Sequence, residues 1–148
     1  MRFILVDRIK QLSPGESIVA ARSIPRDDDY FDDHFPGFPV VPGVLLTEMM
    51  AQAAGKCLDA ERRPRGKAML AKILQASFRH WVRPGDHVTL HASILANDER
   101  YATAECKAHV EGRTVAQAKL FFSFLAMREF AAGFRDDVLE DFLAAQAP

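Results

Sequence analysis

His34 and Glu48 are the two side chains of this 148-residue chain whose settings suit proton transfer. A histidine can give or take a proton near neutral pH. His34 opens the stretch His34-Phe35-Pro36-Gly37-Phe38-Pro39, where prolines fix φ and glycine permits tight backbone approach, so the ring can be held on a stiff loop. The plain alternative is a surface histidine beside Asp32 and Asp33. Glu48 lies inside an apolar run of helix formers, where a carboxylate is costly unless paired or used. Burial there would favour its neutral form and make it a proton donor. Gln52, four residues on, can orient it. The plain alternative is a glutamate stabilised near a helix start by the helix dipole. Val40 to Gly43 lead into that helix start, where free N–H groups can polarise a carbonyl. A base, an acid and an amide donor together suit elimination next to a thioester, because the α-proton is acidified as the enolate oxygen is stabilised.

These groups need a scaffold. Arg2 to Ile9 and Ser17 to Ile24 read as two strands joined at Ser13-Pro14-Gly15. Gly43 to about Leu58 reads as a helix that starts just after Pro42. It is apolar nearly all round and is expected to be buried. Glu61 to Gly66 reads as a basic loop. Then come strands over Lys67 to Val82, His87 to Leu95, Tyr101 to Val110 and Thr114 to Met127. In the third of these, Ala102, Ala104, Cys106, Ala108 and Val110 share one face. In the fourth, Ala116, Ala118, Leu120, Phe122 and Phe124 are expected to point inward. Phe134 to Ala145 has helical spacing, within a tail running from 128 to 148. The order predicts one α+β domain over 1–148, an antiparallel sheet wrapped around a long central helix. Part of that helix, or a sheet edge, is expected to meet a second subunit.

A net charge of −1 argues against nucleic-acid binding driven by overall positive charge. The two cysteines, Cys57 and Cys106, form no CxxC pair, which suits a reducing cytoplasm. No stretch approaches the roughly 18 apolar residues of a membrane span.

The stretch from His34 to Gly55 resembles the signature of the FabZ branch of the 3-hydroxyacyl-[acyl-carrier-protein] dehydratases, in the FabA/FabZ hot-dog family. That signature runs H-F-P-G, then P-V-x-P-G-V-L, then E-x-x-A-Q-x-x-G, and the sequence matches it without a gap. Leu5-Val6-Asp7-Arg8 and the segment Phe78 to Asp86 resemble two further family stretches. The resemblance covers roughly Phe3 to Ala126. It implies a hot-dog fold and dehydration of a (3R)-hydroxyacyl thioester on acyl carrier protein to the trans-2-enoyl thioester, with no cofactor. It implies His34 and Glu48 as catalytic residues, and the N–H groups of Val40 and Gly43 as donors to the thioester oxygen. It also implies a homodimer, in which each site takes its histidine and carboxylate from different subunits, and admits a trimer of dimers. The stretch Leu70 to Gln75 departs from the family pattern, which bears on the acyl length accepted, and the tail from Arg128 extends past it, which bears on oligomer contacts and access to the tunnel mouth.

Two basic clusters, Arg62, Arg63, Arg65 and Lys67, and Arg79, His80 and Arg83, read either as solvated surface or as docking points for an acidic carrier protein. His87 and His91 on one strand stand roughly 13 Å apart, too far to share an ion. No metal site is expected, and Cys57 reads as packing. A hot-dog thioester hydrolase and a non-catalytic acyl-binding subunit stay open as alternative readings.

Overall fold

The computed structural model describes residues 1–63, 65–131 and 133–147. Pro64 in the expected basic loop, and Ala132 and Pro148 in the tail, lie outside the described residues. Six strands form one antiparallel sheet: β1 (Arg8–Ser13), β2 (Ser17–Ser23), β3 (Gly66–Phe78), β4 (His87–Asn97), β5 (Tyr101–Val110) and β6 (Arg113–Ala126). Their spatial order is β1-β2-β4-β5-β6-β3. Helix α1 (Gly43–Arg62) packs against β2 to β6, so the sheet wraps it as the hot-dog arrangement requires. Two shorter helices follow, α2 (Met127–Phe130) and α3 (Asp137–Gln146).

Period-two patterning sets the core. Ala102, Ala104, Cys106 and Ala108 of β5 are fully buried. Their small side chains let α1 lie close to the sheet, and the Cys106 thiol reaches the Met50 carbonyl. Leu90, Leu120 and Phe122 fill the flanks, each burial contributing about 1.5–3 kcal/mol. Val110 and Phe124 are only partly buried, at the rim of the face that the alternation marks. Leu139 of α3 is buried in the same core, and α3 lies against β1. Among the described residues, no helix is long and apolar enough to cross a membrane.

The first strand and helix α1 differ from the reading of the sequence in three respects. The first strand begins at Arg8, not Arg2, because Phe3 and Leu5 give their backbone groups to the Gln52 side chain instead of to a strand. Helix α1 runs one turn past Leu58, which puts Arg62 on the helix and not in a loop. Nor is the helix buried all round. Val44 is 75% exposed, and Glu48 and Gln52 are half-buried. With spacing i, i+4 and i+8 they form one uncovered stripe.

The two sheet edges are unequal. Strand β1 is short and mostly polar. Strand β3 has 13 residues and pairs, among the described residues, only with β6. Along it Met69, Leu70, Ile73, Leu74 and Phe78 are all exposed. Its pairing slips at Leu70/Lys72 and again at Ile73/Gln75, within the stretch that departs from the family pattern.

Candidate active site

The loop from His34 to Val40 is closed on itself. The Val40 N–H donates to the His34 carbonyl at 3.0 Å, and inside that ring Phe35 and Phe38 exchange backbone bonds of 2.9 and 2.8 Å. Gly37 makes the reversal at φ +76°, a conformation costly for a side-chain-bearing residue. The loop is anchored at both ends, by the His34 N–H to Tyr30 O at 2.9 Å and the Val41 N–H to Val82 O at 2.7 Å.

This frame fixes the imidazole. Its Nδ1 lies 3.0 Å from the Val40 carbonyl oxygen. A carbonyl can only accept, so Nδ1 carries the hydrogen, and Nε2 is left with its lone pair free to take a proton. The ring stacks on Phe35 with centroids 4.0 Å apart and is half-buried.

The Val40 N–H expected to meet a substrate oxygen is therefore occupied by His34, and Val40 supports the histidine through both its amide and its carbonyl. The helix start is different. Leu45 and Leu46 donate to Pro42 O, whereas the N–H groups of Gly43 and Val44 find no acceptor among the described residues. These two are the amides available to an oxyanion.

Glu48 is half-buried on the wall of a cavity and not sunk in the core. The Gln52 Nε2 donates to Glu48 Oε1 at 3.2 Å and to Phe3 O at 3.0 Å, and Gln52 Oε1 accepts from the Leu5 N–H at 2.8 Å. Since Leu5 N–H requires an oxygen, the amide has one orientation, with its NH₂ toward the carboxylate. Glu48, Gln52 and Gly55 line a cavity of about 400 Å³ whose walls do not include His34. Within one chain His34 is thus outside the cavity that Glu48 lines.

The arginines divide. Arg62 lies over the Phe124 ring, 3.3 Å from its centroid, and donates to Asn97 Oδ1 and the Asp98 carbonyl. Arg63 pairs with Glu140 of α3. Both are engaged by their own chain. Arg65, Arg79 and Arg83 are exposed, and Arg83 lies over Phe38, which meets the exposed Trp81 edge-on.

Burial pushes the thiols of Cys57 and Cys106 up to about 11 and about 12, which leaves both as inert packing groups. Among the described residues, no three His, Cys, Asp or Glu side chains come together as a metal site. Spacing along one strand does not reveal that His91 of β4 and His109 of β5 meet edge-on, with centroids 4.9 Å apart. Cross-strand register, absent from the sequence pattern, brings them together.

Set against known proteins, residues 1–119 match the family model of the FabA-like domain. A 3-hydroxyacyl-[acyl-carrier-protein] dehydratase FabZ of Ruminiclostridium cellulolyticum is 37% identical over 122 residues, which cover 82% of this chain and 86% of the relative. The protein of the same name from Lactobacillus helveticus is 38% identical over 120 residues, 80% and 81% of the two chains. Among solved structures, AziG of S. sahachiroi superposes with a TM-score of 0.65 at 15% identity, covering 80% of this chain and 90% of that one. The fluoroacetyl-CoA thioesterase FlK superposes with a TM-score of 0.65 at 13% identity, covering 94% of this chain and 100% of that one. At such identities these structures speak for the fold alone.

Proposed function

The chain belongs to the FabA-like family, and from that premise we propose that it dehydrates a (3R)-hydroxyacyl group held as a thioester on acyl carrier protein, in fatty-acid or related acyl biosynthesis. The observation that carries this reading is the bond from His34 Nδ1 to the Val40 carbonyl, which leaves Nε2 as a base on a braced loop. Nε2 takes the C2 proton. The C2 electrons move toward the thioester carbonyl, whose oxygen is held by the Gly43 N–H at the positive end of α1. The C3–O bond then breaks, and Glu48 in its acid form delivers a proton to the departing hydroxyl. A C2=C3 double bond and one water result, and the proton on His34 returns to Glu48 before the next turnover. No electrons are gained or lost overall, so no redox cofactor enters.

The working unit in this proposal is a homodimer, with His34 of one protomer meeting Glu48 of the partner subunit over one acyl group. Two features support it. The stripe Val44–Glu48–Gln52 is uncovered on a helix otherwise in the core. The long outer edge of β3 carries exposed Met69, Leu70, Ile73 and Leu74, a surface a second β3 would both pair and bury. The two free cysteines fit a reducing cytoplasm.

The test is a pair of assays on carrier-bound 3-hydroxyacyl substrates, one for enoyl absorbance and one for thiol release. Wild type gives enoyl product. His34→Ala lowers its rate at least about a hundredfold, the scale of positioned proton transfer, with an unchanged circular dichroism spectrum. Undiminished turnover in that variant refutes the role of His34, and thiol release without enoyl product makes the protein a hydrolase.

A further inference from the structure

The cavity beside Glu48 runs along α1 away from the helix start, and its far end is charged. The cavity walls are largely apolar, from Phe3, Ile4, Ala51, Met69 and Phe122. Farther on, Lys56 and Asp59 enter the wall, both nearly excluded from solvent at 8% and 6% exposure. Each has a partner. Lys56 Nζ lies 2.7 Å from Asp136 Oδ2, and Lys67 Nζ lies 2.9 Å from Asp59 Oδ2.

The first pair is contributed across the fold. Asp136 belongs to the segment that enters α3, and its other oxygen accepts from the Leu139 N–H at 3.1 Å, capping that helix. The segment Phe134 to Val138 forms part of the cavity wall, and it is fixed in place by this cap, by buried Leu139 and by the Arg63–Glu140 pair. A hydrocarbon chain lying in the cavity would thus meet a desolvated ion pair at its end. Pushing methylenes against that pair, or parting it, leaves a buried charge without compensation.

We propose that the Lys56–Asp136 ion pair, held by the carboxyl-terminal segment, is the stop that sets the longest acyl group the enzyme accepts. This deepens the dehydratase reading and rests on it. From Glu48 to Lys56 is eight residues of helix, about 12 Å. An extended chain with C–C bonds of about 1.5 Å and angles near 111° advances about 1.25 Å per carbon, so it reaches the stop at about ten to twelve carbons in all. Gly55 sits on the way. A Cβ placed there meets nothing within 4 Å, which keeps this part of the cavity open.

The experiment measures kcat/KM for carrier-bound 3-hydroxyacyl substrates of four, eight, twelve and sixteen carbons. Wild type is expected to fall at least tenfold from eight to sixteen carbons. Lys56→Met with Asp136→Ser removes both charges while serine keeps the helix cap; it should raise the sixteen-to-eight ratio at least tenfold. Gly55→Ala, which suits a helix better than glycine, should lower the twelve-to-four ratio. Since the two variants shift the limit in opposite directions, a folding defect cannot imitate both. Turnover with equal length profiles in all three proteins overturns the stop and leaves the dehydratase reading standing. No enoyl product at any length overturns the dehydratase reading, and the stop with it.

Discussion

The ring of Phe78 lies directly on the backbone of Gly43. A methyl group placed on Gly43 would sit 3.1 Å from both Cε1 and Cζ of that ring. Phe78 ends strand β3 and Gly43 starts α1, so the edge strand packs against the residue whose amide is proposed to hold the substrate oxygen. Only a hydrogen leaves room for the ring at this distance.

Gly43→Ala is therefore expected to separate activity from stability. Phe78 is half exposed and its ring can yield a few tenths of an ångström, so the free energy of unfolding should stay within about 1 kcal/mol of wild type. The methyl and the displaced ring crowd the free amide, and kcat/KM should fall at least tenfold. Adding Phe78→Leu should restore part of it. Urea unfolding alongside steady-state kinetics checks both; equal losses in stability and rate would make the glycine a packing residue only.

Replacing Gln52 tests the support of the acid. Gln52→Ala removes the donor to Glu48 and leaves the Leu5 N–H and Phe3 carbonyl without their partner. The thermal midpoint should drop, with about 1–2 kcal/mol lost, and kcat should fall more than KM changes. Gln52→Glu should be worse in kcat, because it sets an acceptor against both the Glu48 carboxylate and the Phe3 carbonyl. A rise in KM alone would show that Gln52 binds substrate instead of positioning the acid.

The two arginine clusters should respond differently. Arg79→Glu and Arg83→Glu change exposed charges, and Arg83 lies over Phe38 of the histidine loop. They should raise KM for the carrier-bound substrate, more at low salt than at high, and leave a short pantetheine thioester unaffected. Arg63→Glu breaks the pair with Glu140 and should chiefly loosen α3, seen as faster proteolysis of the tail. Equal effects of Arg83→Glu on both substrates would refute docking.

His91, exposed on β4, is expected to make the fold modestly sensitive to acid. Burial, then the neighbouring His109, Lys10 and Lys107, holds its imidazole below the ordinary value of 6.5. The unfolded chain therefore binds this proton more readily than the folded one. The contribution is whole above pH 6.5 and is lost as the pH falls through and below that value. Thermal midpoints measured between about pH 7 and pH 5 should fall less steeply in His91→Gln than in wild type; parallel slopes would remove His91 from the account.

Much of this is legible in the sequence because local chemistry fixes it. The Pro and Gly spacing around His34 specifies a braced loop, and alternation in Tyr101 to Val110 specifies the buried face of β5. What is not legible depends on partners far along the chain. Nothing near Phe3 or Leu5 says that their backbone groups go to Gln52, so the apolar opening run lies almost wholly before the strand, which Arg8–Ser13 form. The Val40 amide looks free in a motif and is occupied in three dimensions. Arg62 and Arg63 look like open surface until Phe124, Asn97 and Glu140 fold beside them. The carboxyl segment reads as an appendage, yet Asp136 meets a lysine eighty positions earlier.

The Gln52 staple has a mechanical consequence. One amide grips the backbone at residues 3 and 5 and, through its other side, the carboxylate of Glu48. A shift of the opening residues is therefore passed by this one amide to the Glu48 side chain on the cavity wall. The opening residues are thus coupled, through one side chain, to the carboxylate proposed as the proton donor.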